Sequence, residues 1–323
     1  MKSRRPSASL RLPHHLRAFP ATSRYLVGVS GGRDSAALLH WLTEMGYRNL
    51  IVCHLDHQLR GRFSTADARF VEELGSRYGL DVDIGRDKVA EIARKKKMSI
   101  ETAGRAARYS FFAKVAKRRR CRTIFLAHHA DDLVETFLIN LFRGSGSIGL
   151  SGMREIAVRR IDNIDLRIVR PWLGVWRSEI DRYVSRHRLK FREDASNRDL
   201  APLRNRIRGR IIPYLEKTIG RNIRENIWRA ARITAAEKDF FETLLPGKMS
   251  GGATLAVKPL REMPVAVQRR VLHKWLSESD VPNVTFDLIE RVRTLVDQAS
   301  GVAKTNLPKN RHARRRAGRI FME

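Results

Sequence analysis

Five short apolar runs, each followed by a stretch with helical periodicity, most constrain how the first two thirds of this chain can fold. The runs predict strands over Tyr25–Val29, Leu50–Leu55, Leu80–Ile84, Thr123–Ala127 and Leu166–Val169. Strands that alternate with helices are typical of a parallel sheet covered by helices on both faces. The pattern therefore predicts an α/β fold with a doubly wound, mostly parallel five-stranded sheet.

The rest of the chain predicts helices. Within the α/β region they cover 34–45, 65–78, 131–142 and 176–187, with two more inside 88–117 that are separated near Met98. After about Asn197 we expect no further strands and a smaller, mainly helical domain with helices over 203–215, 222–245, 264–277 and 286–298. Residues 246–252 read as a linker. For 304–322 the composition favours a basic disordered tail, with a short hairpin as the alternative.

The charge balance indicates a polyanionic partner. The 323 residues include 64 Lys and Arg against 34 Asp and Glu, which gives a formal net charge of +30. Such a surface attracts nucleic acid, although a compositional bias towards arginine is the alternative explanation. The two cysteines are far apart, which favours a reducing, cytoplasmic location over a disulfide framework or a structural zinc site. No apolar run is long enough for a membrane span.

The segment GVSGGRDS, residues 28–35, allows two interpretations. As G-x-S-x-G it would present Ser30 as a hydrolase nucleophile, but no earlier strand is predicted that could supply an oxyanion hole. As a strand, a glycine-rich turn and a helix start, it would bind phosphate through backbone N–H groups and the Ser30 and Ser35 hydroxyls. The lysine of a Walker A loop is absent. Asp34 beside a polyphosphate would require Mg²⁺ between them, and a helix N-cap is its plainer role.

Two further segments carry clustered polar residues. In LAHHADDLVETFLINLFRGSG, residues 126–146, the acidic side chains of Asp131, Asp132 and Glu135 share one helix face, although acids at a helix start also complement the helix dipole. The His128 and His129 pair is expected to orient groups or contact substrate rather than bind metal. In EDASNRDLAPLRNRIRGRIIPYL, residues 193–215, five arginines cluster with the preceding Arg192; such clustering suits phosphate contacts, and a solvated basic face is the alternative.

Taken together and in this order, these segments resemble the N-type ATP-pyrophosphatase (PP-loop) family, and within it the tRNA(Ile)-lysidine synthases. The resemblance rests on SGGRDS at 30–35, HLDHQLRG at 54–61 with Asp67, ETAGRAARY at 101–109, HHADDLVETFLINLFRGSG at 128–146 followed by GLSGM, RP at 170–171 and DASNRD…RNRIR at 194–208. It covers residues 24 to 215 closely and the rest loosely. Ala127 replaces a glycine that some members carry before the two histidines.

The resemblance implies an adenine nucleotide alpha hydrolase-like fold and a division into three parts. These are a basic leader over 1–23, for which a transit peptide is the less favoured explanation, a PP-loop catalytic domain over 24–215 and a mainly helical tRNA-binding domain over 216–323. The C-terminal part looks like the family's short form. The implied enzyme is a ligase that forms a carbon–nitrogen bond in two steps: ATP adenylates C2 of the wobble cytidine of a tRNA(Ile) with a CAU anticodon, and L-lysine then displaces AMP.

The resemblance also implies roles for individual residues, and a homodimer is possible. The implied ATP-binding residues are Ser30, Gly31, Gly32, Arg33, Asp34, Ser35, His54 and Arg143, with Mg²⁺ on Asp34. The implied catalytic residues are Asp34, Arg108, His128, Asp132 and Glu135, of which Asp132 and Glu135 would contact lysine. The implied tRNA contacts are Arg198, Arg204, Asn205, Arg206 and Arg208. A carboxylate or His128 could take the proton that the lysine amine must lose.

Other functions are less well supported by the residues. A tRNA thiolase of the same family would need a nucleophilic or cluster-binding cysteine, and neither Cys53 nor Cys121 has that setting. An amidotransferase synthetase would need a glutaminase domain, for which the chain is too short. A non-catalytic RNA-binding protein would have no chemical need of Ser30, Asp34, Asp132 and Glu135.

Overall fold

The structure is a computed structural model, and it describes residues 10, 12–59, 62–192, 202–220, 222–245, 254–297 and 299–323, the side chains of Arg62 and Phe63 excepted. The chain forms two compact units. The first comprises the chain up to Thr136 together with Met153–Trp228, and the second comprises Phe137–Gly152 and Arg229–Glu323. Residues 1–9 and 11 of the basic leader, and the whole of the linker over 246–252, lie outside the described residues.

The elements follow one another as the apolar runs predict, with several additions. After a short 3₁₀ helix at His14–Ala18, the chain forms β1 (Tyr25–Gly28), α1 (Arg33–Glu44), β2 (Leu50–Asp56), α2 (Arg62–Arg77), β3 (Asp81–Arg86), α3 (Val89–Lys95), α4 (Ile100–Arg118), β4 (Thr123–Phe125) and α5 (Ala130–Phe142). It continues with α6 (Ser147–Leu150), β5 (Ile156–Ile161), β6 (Ile164–Val169), α7 (Arg177–Arg186), α8 (Leu203–Arg206), a π-helical turn (Ile207–Ile211), α9 (Ile212–Ile219) and α10 (Ile223–Leu244).

In the C-terminal part of the chain, three helices lie between one short strand and a run of three strands. They are β7 (Leu255–Ala256), α11 (Val257–Glu262), α12 (Val265–Glu278), α13 (Phe286–Arg293), β8 (Lys304–Leu307), β9 (Arg311–Arg316) and β10 (Arg319–Met322).

The first unit contains a six-stranded sheet in the order β3-β2-β1-β4-β6-β5, parallel except for β5, which pairs antiparallel with β6. The doubly wound α/β prediction is confirmed, but the count of five strands is wrong. The missing strand, β5, reads IAVRRI and lies at the sheet edge with four of its six side chains exposed. A strand that buries so little has no apolar run by which sequence could reveal it.

The strand order alone indicates where in the sheet a ligand site lies. The chain builds β1, β2 and β3 outwards in one direction and then returns to place β4 on the other side of β1. This reversal is a topological switch point, and ligands of open α/β sheets bind there at the carboxyl ends of the strands. Helices cover both faces, and β2 is buried at all seven positions, as central strands of a parallel sheet are.

The second unit corrects the prediction that strands stop after Asn197. Its strands form an antiparallel sheet in the order β7-β10-β9-β8, packed with α11, α12 and α13 around one hydrophobic core. The disordered tail predicted for 304–322 is wrong, and the hairpin alternative is correct. Arginine dominates the composition there, yet Leu307, Ala313 and Ile320 alternate with the charges and are buried. Among the described residues, no helix combines the length and apolar character that crossing a bilayer needs.

Candidate active site at the switch point

A cavity of about 520 Å³ lies at the carboxyl ends of β1, β2 and β4 in the first unit. Its volume falls within the range of small-molecule and cofactor sites. It is lined by residues from four of the segments identified in the sequence, among them Ser30, Asp34, Ser35, His54, Arg108 and His128. Side chains more than 70 positions apart in the chain therefore meet where the fold predicts a ligand site.

The loop between β1 and α1 is held in shape by its own serines. The Ser30 N–H donates to Ser35 Oγ at 3.1 Å, the Gly32 N–H donates to Ser30 Oγ at 3.3 Å, and Ser35 Oγ donates to the Gly32 carbonyl at 2.9 Å. Gly31 has a φ of +86°, a conformation that side chains other than glycine rarely adopt. Among the described residues Ser30 has no basic partner, which argues against a nucleophile. The geometry suits a loop whose backbone N–H groups and helix start receive an anion.

Arg33 belongs to this loop only through its backbone. Its guanidinium pairs with Asp181 on α7 and lies 5.7 Å from the ring centroid of Phe191. Arg143, the other cation predicted to contact ATP, is exposed just beyond the end of α5 and belongs to the second unit. The Arg33 guanidinium is therefore not among the groups that converge on the cavity.

His129 is the centre of a buried ionic cluster. It is 1% exposed, and its Nε2 lies 3.7 Å from Asp34 Oδ2 and 3.6 Å from Asp132 Oδ2, while its Nδ1 lies 3.7 Å from Asp131 Oδ2. Burial alone would lower the pKa of His129, but the three carboxylates outweigh it and raise that pKa. Burial likewise opposes ionisation of Asp34 and Asp132, and the neighbouring His129 prevails and lowers the pKa of both.

One oxygen of Asp34 is suited to a cation. Asp34 Oδ1 is buried and has no hydrogen-bond partner among the described residues, which is costly for a carboxylate unless another group completes its coordination. The described residues hold no group of three or more His, Cys, Asp or Glu that could bind a metal ion by themselves. A magnesium ion bound by the Asp34 carboxylate and by substrate phosphates would give Asp34 Oδ1 a partner and would need no further protein ligand.

Glu135 is the most buried acid of the cluster and has partners that the sequence did not indicate. Arg208 donates to it from two nitrogens, Nε to Oε1 at 2.6 Å and Nη2 to Oε2 at 3.0 Å, and Arg204 Nε lies 3.5 Å from Oε2. Arg208 Nη2 also lies 3.6 Å from Asp132 Oδ1. Burial raises the pKa of Glu135, and the paired carboxylate in turn raises the pKa of Arg208. The bidentate geometry is that of an ion pair.

The five predicted tRNA contacts consequently divide into groups. Arg204 and Arg208, four positions apart, share one helix face and point to the acidic cluster. Arg206 between them is exposed, Asn205 is half-buried, and Arg198 lies outside the described residues. The sequence alone does not show which arginines belong to which group. The division depends on which side of the helix faces Glu135, an acid in a distant segment of the chain.

Two arginines, Arg105 and Arg108, line the cavity together with His128. Arg170 Nε donates to His128 Nδ1 at 3.3 Å, and Arg105 lies 5.1 Å from the ring centroid of Tyr109. Burial, reinforced by the charge of Arg170, lowers the pKa of His128 to about 3. His128 is therefore neutral near pH 7 and, because its Nδ1 accepts, carries its proton on Nε2. Arg108 is accessible within the cavity and has no partner among the described residues.

His54 and His57 complete the wall formed by the end of β2. His54 Nδ1 donates to the Val29 carbonyl at 2.8 Å, which leaves Nε2 as its acceptor atom. Burial lowers the pKa of His54, and it lowers the pKa of His57 to about 4. His57 and Arg170 were not predicted as site residues, and the only signal for them was their place inside the quoted motifs.

Comparison with known proteins supports the family resemblance over most of the chain. A family model described as a PP-loop domain matches residues 8–215, and one described as a TilS substrate binding domain matches residues 255–321. The tRNA(Ile)-lysidine synthase of Geobacter sulfurreducens is 36% identical over 303 residues, which are 90% of this chain and 63% of that protein. The tRNA(Ile)-lysidine synthase of Thermosynechococcus vestitus is 31% identical over 91% of this chain and 85% of that protein.

The chain belongs to the tRNA(Ile)-lysidine synthase family. It spans slightly less than two thirds of the length of the Geobacter relative and of the Solibacter usitatus relative, of which it covers 65%. Among solved structures, the U34-tRNA thiolase of Methanococcus maripaludis is similar in fold, with a TM-score of 0.51 and 18% identity over 66% of this chain and 72% of that one. Membership of the family confirms the resemblance that the three segments indicate.

The depressed pKa of His128 predicts how stability depends on pH. In the unfolded chain this histidine takes up a proton near pH 6.5, whereas in the folded protein it does so only near pH 3. Stability is therefore lost as pH falls through this window, on the order of 2 kcal/mol by pH 5. Urea unfolding at pH 7.5 and pH 5 should show a smaller acid-induced loss for His128→Gln than for wild type. An equal loss in the two proteins would contradict the assignment.

Proposed function

We propose that this chain is an ATP-dependent tRNA(Ile)-lysidine synthase, a ligase that joins L-lysine to the wobble cytidine of a tRNA with a CAU anticodon. The observation that carries the proposal is the His129 cluster, which joins Asp34 of the phosphate loop to Asp132 of α5. An anion-binding loop beside a carboxylate pocket is what a reaction between ATP and a cationic amine requires. Family membership supports this reaction over others that use the same fold.

In the first step the C2 carbonyl oxygen of the cytidine attacks the α-phosphate of ATP and pyrophosphate leaves. The loop over residues 30–35 would stabilise the negative charge that develops on the leaving group. Arg108, a guanidinium that lines the cavity and has no partner among the described residues, would bind the α-phosphate. Magnesium held by Asp34 would neutralise phosphate charge. His128 would donate from Nε2, because a group with a pKa near 3 is a poor base.

In the second step a carboxylate of the pocket would take a proton from the lysine ammonium, the free amine bonds to C2, the bond from C2 to the adenylate oxygen breaks and AMP leaves. Lysine arrives mostly protonated near pH 7, with a reference pKa of about 10.4. Asp132, held ionised by His129, and Glu135 would bind this cation. Glu135 already binds Arg208, so we infer that lysine enters beside this pair and competes with Arg208 for the carboxylates.

The domain assignments of the sequence analysis become part of the same proposal. We assign catalysis to residues 24–215 and tRNA binding to residues 216–323, supported by the two family models that match 8–215 and 255–321. Among the described arginines of this segment, Arg206 and Arg210 are exposed, and they would meet tRNA phosphates. We infer a cytoplasmic reaction, since ATP, lysine and tRNA occur there together. The homodimer stays a prediction.

Thiolation is disfavoured by the state of the two cysteines. Burial raises the pKa of the Cys53 thiol strongly and that of the Cys121 thiol to a lesser extent. A thiol that stays protonated is a weak nucleophile and a weak cluster ligand. The likeness to the archaeal thiolase, at 18% identity, is one of fold alone.

The direct test is an incorporation assay. Purified protein with ATP, Mg²⁺ and radiolabelled lysine should label a tRNA(Ile) transcript that bears CAU, and should leave unlabelled the same transcript with a GAU anticodon. The label should depend on ATP, because lysine cannot displace the C2 oxygen without adenylation. Absence of ATP-dependent label in the CAU transcript would overturn the proposed function.

Asp34→Asn should abolish pyrophosphate release while tRNA binding stays within about twofold of wild type. The change removes the charge that would hold Mg²⁺ at the phosphates and keeps the side chain's size. Pyrophosphate release and filter binding measure the two effects. Asp165→Asn, at an exposed position on β6 outside the cavity, is the matched control. Equal loss of tRNA binding in Asp34→Asn would show that the role given to Asp34 is wrong.

Glu135→Gln should separate the two steps. Loss of one charge-assisted contact to the lysine ammonium should raise the KM for lysine about 10- to 100-fold. Pyrophosphate release from ATP and tRNA without lysine should change by no more than about twofold. Glu73→Gln, exposed on α2, controls for the charge change. An unchanged KM for lysine would remove Glu135 from the lysine site.

A further inference from the structure

The peptide between Gly31 and Gly32 decides what the phosphate loop offers to an anion. Its carbonyl and its N–H point in opposite directions because the peptide is trans, so only one of them can face a bound phosphate. Glycine adopts positive and negative φ about equally, so the chain at Gly31 does not fix this orientation by itself. The contact inside the loop, from the Gly32 N–H to Ser30 Oγ, is long at 3.3 Å. The orientation therefore depends on groups outside the loop.

Arg192, in the segment that follows α7, supplies such a group. Its backbone N–H donates to the Gly31 carbonyl at 3.0 Å, which leaves the N–H of the same peptide to point the other way. Its guanidinium forms an ion pair with Asp67 on α2, and Asp67 lines the cavity. The sequence groups Arg192 with arginines suited to phosphate, whereas the structure pairs its side chain with a carboxylate. The ion pair anchors the residue whose amide holds the loop.

The other end of the loop is held by α7 itself. The Arg33 guanidinium forms an ion pair with Asp181 on α7, and it lies 5.7 Å from the ring centroid of Phe191. Phe191 in turn packs against the hydrophobic core that lies beneath α1 and α7. Gly31 and Arg33, two positions apart, are thus both bound by α7 and the two residues 191 and 192 beyond it.

α7 is also fixed to the acidic cluster. At its start the Arg177 N–H donates to Asp131 Oδ2 at 2.9 Å, and the same oxygen lies 3.7 Å from His129 Nδ1. Further along, Tyr183 on α7 and His40 on α1 are joined by a hydrogen bond of 2.7 Å between the hydroxyl and Nδ1. α7 therefore holds the phosphate loop from a helix whose own place is set by the acidic cluster.

We propose that Arg192 and Asp181 are positioning residues for the reaction with ATP. Arg192 holds the peptide after Gly31 so that its N–H faces the incoming phosphates, and Asp181 holds the start of α1 through Arg33. Both act through the loop and not by touching substrate. Donors that are set in advance need no reorganisation when charge develops on the leaving pyrophosphate. The proposal rests on the proposed function only in taking ATP as the ligand of this loop.

The decisive variant is Arg192→Gln, which removes the ion pair with Asp67. Calorimetric titration of the full chain with ATP and Mg²⁺, without tRNA or lysine, should show about tenfold weaker binding, because the loop is no longer held in its binding geometry. Arg192→Lys, which keeps a cation beside Asp67, should bind within about threefold of wild type. Asp181→Asn should weaken binding by about three- to fivefold, since its ion pair with Arg33 is partly exposed.

Hydrogen exchange distinguishes a positioning role from a direct contact with ATP. In the ligand-free protein, the amides of residues 28–36 should exchange about tenfold faster in Arg192→Gln than in wild type, because the loop opens more often. Mass spectrometry of peptic fragments measures this rate. Weaker ATP binding with unchanged exchange over 28–36 would overturn the proposal, since Arg192 would then act by contacting ATP. Unchanged ATP binding in Arg192→Gln would overturn it as well.

The matched control is Arg119→Gln, which breaks ion pairs with Asp81 and Asp83 at the amino end of β3, the end of the sheet away from the cavity. The side chains of Arg119 and Arg192 are similarly exposed, at 32% and 36%, and the change in net charge is the same. The control should bind ATP within about twofold of wild type, because distant sites act independently. Equal effects of Arg119→Gln and Arg192→Gln on ATP binding and exchange would overturn the proposal.

Lysine kinetics separate this proposal from the function on which it rests. Arg192→Gln should raise the KM for ATP and leave the KM for lysine within about twofold, because Asp132 and Glu135 are unchanged. An equal rise in both KM values would show general damage to the site and overturn the positioning role. A wild-type protein that binds ATP in this loop but incorporates no lysine would overturn the proposed function and leave the positioning role standing. Should Arg192→Gln fail to fold, Asp181→Asn compared with Arg119→Gln decides by the same measurements.

Discussion

The contact of His129 with three carboxylates is the interaction on which the rest of the site depends. A buried imidazole would ordinarily be neutral and buried aspartates would ordinarily resist ionisation, but here each stabilises the charged form of the other. The cluster fixes the start of α1, through Asp34, against the start of α5, through Asp132. Because these two starts flank the switch point of the sheet, the cluster aligns the phosphate loop with the acidic pocket.

The uneven distribution of charge in this chain serves the chemistry of the site rather than the stability of the fold. A chain with a net charge of +30 keeps its few functional acids together and buries them, and it uses Arg204 and Arg208 as their counter-ions. Arg108 remains available inside the cavity. The paired cations hold the site in shape, whereas Arg108, which has no partner among the described residues, is proposed to meet substrate.

The sequence predictions succeeded where the structure depends on residues close together in the chain and failed where it depends on contacts between distant segments. Apolar runs revealed the parallel strands because β1, β2, β4 and β6 bury their side chains, and periodicity revealed their helices. The edge strand β5 was missed, and the C-terminal strands were predicted only as the less favoured hairpin, since strands rich in arginine bury too few residues to give a clear apolar run. At the site, the motifs led to Asp34, His128, Asp132 and Glu135, but His57, Arg170 and the central place of His129 emerged only from their neighbours in space.

The sequence by itself determined the class of fold, the phosphate loop and the family resemblance, because these depend on residues close together in the chain. Only the tertiary structure decided which charges meet. Arg208 binds Glu135 across 73 positions of sequence, so an arginine that reads as a phosphate contact belongs instead to the acidic pocket. Pairings of this kind depend on helix phase and strand register between distant segments, which no local pattern specifies.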